Sequence, residues 1–178
     1  MKNLKIHDNI TYSDNFKKII TFYLFECPVE NVSARGYEFS DLGWNNTYLK
    51  KFYYMMKDLS NIKENNWILC NINEISQYIA NINKKEQYIV CNDGNGKTKS
   101  IFYAIRNSFA HGSFEIYNQE HKIYYLLKNV DKGILKAQIN VEEDTLIKWM
   151  NLFNTNPEYL TTKNKINSVI DKVNKNKW

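Results

Sequence analysis

The chain has 178 residues, 43% of them hydrophobic, and a net charge of +5, enough apolar content for a core without staples and too much for a disordered chain. It holds no 18-residue apolar run, and His7, Asp8 and Asn9 stand where a secretory leader needs its apolar segment, so a cytoplasmic location with no membrane contact is expected. Cys27, Cys70 and Cys91 are odd in number and widely spaced, which argues against a disulfide framework or a zinc site, so no metal and no cofactor are expected.

In chain order, Phe16, Ile19, Ile20 and Tyr23 recur at helical spacing and predict a helix over 14–26, closed by Pro28. Residues 29–44 read as a loop, with Gly36 and Gly43 as flexible points. A second helix is predicted over 45–59, with Leu49, Phe52, Met56 and Leu59 on one face. A third is predicted over 67–82, where Ile68, Ile72, Ile75, Ile79 and Ile82 form a stripe. Tyr88-Ile-Val could be a short strand before the loop Cys91–Thr98. A fourth helix runs from about 98 to 110, with Ile101, Phe102, Ile105 and Phe109 toward the core, and Gly112 supplies a left-handed cap.

Beyond Gly112 the periodicity changes. Residues 113–118, 122–129 and 134–140 read as strands of a small antiparallel meander, with turns at 118–121 and 131–133. Asn140 and Glu143 have capping-box spacing for a fifth helix over 142–153. Pro157 starts a last helix toward Val173, with Ile166, Val169, Ile170 and Val173 inward. The fold class expected is mainly α, a helical bundle with a small antiparallel β insertion after the fourth helix. One domain is expected over 1–178, comprising an N-terminal helix and loop (1–44), a bundle core (45–155) and a basic C-terminal helix (156–178).

Charge is uneven. Residues 161–178 hold five Lys against Asp171 alone, so this end could touch phosphates, or it could be an ordinary solvated helix. Against 22 Lys the chain has two Arg, Arg35 and Arg106. Guanidinium offers a rigid two-pronged grip on phosphate that ammonium cannot copy, which makes each Arg worth examining.

Two stretches carry possible chemistry. Gly96, Lys97 and Thr98 fit the end of a phosphate loop, but Cys91 stands where its first Gly belongs. No apolar strand ending in a magnesium-binding Asp and no alternating βα pattern accompany it, so a flexible entry to the helix is expected, with Lys97 and Lys99 as candidate substrate-binding cations near an anion. The second stretch is 106–112. Asn107 and His111 are four apart and share a helix face. Arg106 lies about 140° from His111 around an ideal helix, within reach of a long side chain or of a partner molecule. Imidazole titrates near neutral pH, and the negative end of a helix dipole suits its charged form. A cation, an orienting amide and an imidazole are the parts that cleave RNA by attack of its own 2′-hydroxyl.

Ile105-Arg-Asn-Ser-Phe-Ala-His-Gly112 resembles the signature of the HEPN superfamily, an Arg and a His separated by four to six residues, commonly with Asn after the Arg. The likeness is strong over this helix and loose over 45–155. It implies a HEPN-like bundle and a metal-independent endoribonuclease of the toxin–antitoxin, abortive-infection or other phage-defence kind. It further implies a homodimer with a composite cleft, Arg106 and His111 as the catalytic pair, Asn107 as the supporting residue, and an antitoxin or regulatory protein as a possible partner. Ser113 stands where members controlled by adenylylation carry Tyr, so that mode of inactivation is not implied. The alternative is a non-catalytic module that binds RNA or protein. His7 and His121 read as solvated surface residues. Tyr117, Tyr124 and Tyr125 could stack on bases, but packing in a half-buried sheet is the expected role.

Overall fold

A five-stranded mixed sheet, not a helical bundle, organises the chain. This computed structural model describes residues 13–29, 35–161 and 163–175, so His7 lies outside the described residues. The strands are β1 (Trp67–Cys70), β2 (Tyr88–Asn92), β3 (Phe114–Gln119), β4 (Lys122–Asp131) and β5 (Ile134–Glu142), in spatial order β1-β2-β5-β4-β3. β1 and β2 are parallel, and every other pair is antiparallel. The helices are α1 (Asp14–Thr21), α2 (Asn46–Leu59), α3 (Ile75–Asn81), α4 (Lys97–Ala110), α5 (Glu143–Phe153) and α6 (Lys163–Lys175). A π turn, Phe22–Glu26, extends α1.

This corrects the mainly α expectation and its HEPN-like bundle. The predicted meander exists, but it is three-fifths of a sheet. The correction begins at the predicted third helix. Trp67–Cys70 is a strand, and a capping box of Asn71 and Glu74 then starts a turn that leads into α3. The isoleucine stripe does share one core, because Ile68, Ile72, Ile75, Ile79 and Ile82 all join a small cluster with Cys70, Tyr88 and Val90. A common face is what periodicity detects, and here a strand and a helix contribute to the same face. The β1–α3–β2 unit also means that a parallel pair does stand behind the loop at 93–96, contrary to expectation.

Alternation along the strands separates two cores. Trp67, Ile89, Cys91, Tyr125, Leu127, Ala137, Ile139 and Val141 enter the large cluster under α1, α2, α4, α5 and α6. Their sequence neighbours Ile68, Cys70, Tyr88, Val90, Leu126 and Leu135 face the opposite way, against α3. Period-two side-chain direction produces this division, except at Leu135 and Ala137, two apart on β5, which take opposite faces across the register shift at Asn129 and Val130.

Both hairpins follow from turn chemistry. Glu120 and His121 (φ 52° and 64°) and Lys132 and Gly133 (φ 50° and 82°) adopt positive φ at the two tips, the backbone that two-residue hairpin loops require. The expected capping box at Asn140 does not form. Asn140 is a buried β5 residue whose amide donates to the Glu86 carbonyl and whose oxygen accepts from Tyr117. Strand pairing extends to Glu142, which leaves Asn140 two residues too early to cap α5.

The large core centres on α4. Phe102 meets Phe22, Tyr23, Phe39, Phe52 and Phe153 at ring-centroid distances of 5.6–6.4 Å. Buried aromatic pairs in edge-on or tilted contact stabilise beyond their area, and they fix α4 along its length. Among the described residues, no helix is long and apolar enough to cross a membrane.

Candidate functional site

Almost every side of α4 is packed. Nine of its 14 residues are buried, including Thr98, Ser100, Asn107 and Ser108. Lys99, Tyr103 and Arg106 keep partial exposure, and their spacing of four and three puts them on one stripe. The two ends of this helix hold the residues singled out above, about 20 Å apart at 1.5 Å per residue.

At the C-terminal end, Gly112 takes φ 62°. Its amide donates to the Phe109 carbonyl, and the Ser113 amide donates to the Ser108 carbonyl. This Schellman closure satisfies carbonyls of the last turn and stops the helix at His111. The imidazole is therefore carried out of the packed body, and His111 is exposed. It lies near Asp131 at the end of β4, whose carboxyl is held below its usual range by Lys136 first, with smaller pulls from Lys132 and His111.

Arg106 is arranged differently. Its Nη1 donates to Oδ1 of Asn107 at 3.1 Å. Asn107 is 7% exposed, so the acceptor is a fixed amide inside the body of the protein. Arg106 Nε is buried without a hydrogen-bond partner, and no ion pair among the described residues uses this guanidinium. The guanidinium stands near Cys27, just after the π turn. Burial pushes that thiol well up, and the Arg106 charge offsets only part of the effect. Cys27 therefore stays protonated and does not supply a counter-charge. No hydrogen bond joins Arg106 to His111. Of the expected trio, the structure brings Arg106 and Asn107 into contact and leaves His111 beside them at the same helix end.

At the N-terminal end, Gly96 (φ 83°) opens the helix without a capping side chain. The Thr98 hydroxyl donates to the Leu49 carbonyl at 2.8 Å. In a phosphate loop that hydroxyl would serve a metal, so its commitment to α2 removes the nucleotide-triphosphatase reading. Lys97 Nζ lies 5.1 Å from the centre of the Tyr53 ring. Lys97 and Lys99 line a cavity of about 280 Å³ between this end and α2. Sequence reasoning missed the α2 wall, although Lys50, Tyr53 and Tyr54 at i, i+3 and i+4 share a helix face.

The remaining candidates are structural or peripheral. Tyr125 is fully buried and donates to Glu143 at 2.9 Å. Tyr117 and Tyr124 stack at 5.4 Å, and their hydroxyls reach Asn140 and Glu142. These rings pack in the sheet. His121 sits exposed at a hairpin tip. Among the described residues, no group of three or more His, Cys, Asp or Glu gathers as a metal site. Comparison with family models, with curated proteins and with solved structures returns no match.

Proposed function

We propose that this chain is an endoribonuclease that needs no metal, acts as a homodimer and serves as a toxin or phage-defence effector. The observation that carries the reading is the state of Arg106. It is a partly buried cation with a fixed amide on one side, a buried N–H without an acceptor, and no carboxylate partner among the described residues. A buried donor left unsatisfied costs about 1–3 kcal/mol, so an arrangement that retains one is suited to an anionic ligand. Phosphate offers the oxygens that a guanidinium fits best.

His111 supplies the proton chemistry. Its imidazole takes the proton of a ribose 2′-hydroxyl, and that oxygen forms a bond to the adjacent phosphorus. The bond from phosphorus to the 5′ oxygen breaks, and the leaving oxygen takes up a proton from water, while the imidazolium returns its proton to solvent. The products are a 2′,3′-cyclic phosphate and a 5′-hydroxyl. Arg106 stabilises charge on the phosphoryl oxygens, and Asn107 positions Arg106. Within one chain Arg106 stands near Cys27 and His111 near Asp131 at the end of β4. A second copy would let the guanidinium of one chain and the imidazole of the other serve one phosphate. The likeness of residues 105–112 to the HEPN signature agrees with this reading.

The test is incubation of the purified chain with total RNA in EDTA, with the ends of the fragments identified. Cyclic phosphate ends are expected with the native chain and are lost in Arg106→Ala and in His111→Ala. RNA that is bound but left intact, with binding unchanged by both substitutions, would contradict the proposal.

A further inference from the structure

The cavity at the N-terminal end of α4 is a second feature, and it owes nothing to Arg106 or His111. It is enclosed by α2 on one side and by residues 95–99 on the other. Three lysines line it, Lys50, Lys97 and Lys99, and no Asp or Glu among the described residues does. Asp93, in the same loop, and Glu64 lie outside the lining, although the charges of both reach the Tyr53 hydroxyl. Lys50 and Lys97 are exposed, and neither takes part in an ion pair among the described residues. The like charges of Lys50 and Lys97 on one concavity repel one another and raise the local potential for an anion. The positive end of the α4 dipole lies at the same wall and acts in the same direction.

The other half of the lining is aromatic and apolar. Leu49 and Tyr53 are 7% and 6% exposed, and Burial pushes the Tyr53 hydroxyl up to about 12, so this ring is a neutral, packed wall. Tyr54 is different. It lines the same cavity, is 53% exposed and meets Tyr53 edge-on at 5.6 Å. One edge-on neighbour leaves ring face available, and an exposed tyrosine face beside lysines is a stacking surface for a flat, electron-poor ring. A volume of about 280 Å³ is near the lower bound of small-ligand pockets, about 300 Å³.

We propose that this cavity binds a nucleoside phosphate, with the phosphate held between Lys50 and Lys97 and the base stacked on Tyr54. The same chemistry is offered by a free mononucleotide and by the phosphorylated end of an RNA strand. This site is independent of the nuclease reading.

The experiment is calorimetric titration at low salt with adenosine monophosphate as the probe. Adenosine, inorganic phosphate and a 5′-phosphorylated RNA tetranucleotide are run beside it. Saturable binding of the monophosphate is expected, with adenosine at least about tenfold weaker because the charge-assisted contacts are lost. The Lys50→Ala/Lys97→Ala double variant should weaken the monophosphate by about tenfold or more. Tyr54→Ala should weaken the monophosphate and leave inorganic phosphate unchanged. All these positions are exposed, so folding is retained and is checked by circular dichroism. Competition by the tetranucleotide assigns the site to an RNA end, and its absence to a free nucleotide. No saturation by about 10 mM, or an affinity unchanged in the double variant, would overturn the proposal. His111→Ala should bind the monophosphate as the native chain does, which separates failure of this site from failure of the nuclease.

Discussion

The two ends of α4 offer a phosphate opposite kinds of help. At the N-terminal end the helix dipole favours an anion, the cap is a bare glycine, and several lysines share the load. At the C-terminal end the dipole opposes an anion, the last-turn carbonyls are closed by Gly112 and Ser113, and any attraction must come from Arg106 and His111. The first arrangement is redundant and suited to holding. The second depends on individual groups and is suited to chemistry. Removing one side chain should therefore weaken the first end by degrees and disable the second.

The largest expected effect tests that contrast with an RNA dinucleotide, shorter than the ~20 Å between the ends. Arg106→Ala or His111→Ala should lower its cleavage by on the order of 10²–10⁴-fold, while Lys97→Ala should leave the rate within about twofold. An equal loss in all three variants would mean that the ends are not separate. A smaller effect compares the two cap glycines. Gly96, at φ 83° and ψ 146°, borders a backbone region reserved for glycine, and a Cβ there would meet nothing within 4 Å. Its replacement by Ala is a pure backbone cost of about 1–3 kcal/mol. Gly112→Ala, at φ 62°, should cost about 1–2 kcal/mol. Urea denaturation reads both. The comparison sharpens if Gly96→Ala lowers nucleotide affinity alone and Gly112→Ala lowers cleavage alone.

The sequence made some of this architecture legible. Both hairpins could be read because their tips carry the turn residues and their strands alternate. α2 could be read because Leu49, Phe52, Met56 and Leu59 form one face, and α4 because Gly112 ends it. The mixed sheet could not, because β1 is four residues long and its Ile68 falls in register with the isoleucines of α3. A stripe records a shared face, and strand and helix residues can share one. Arg106 and His111 stood out because their residue types are rare in this lysine-rich chain. The cavity was hidden for the converse reason. Its Lys and Tyr are common here, and it exists only because the end of one helix meets the side of another.

The claim on which the functional account turns is that the guanidinium of one copy and the imidazole of another serve the same phosphate. Mixing Arg106→Ala with His111→Ala chains under conditions of subunit exchange tests it. Half of the dimers would be mixed, each with one intact composite site, so cleavage should recover to about one quarter of the native rate. A mixture that stays as inactive as either variant alone would contradict it.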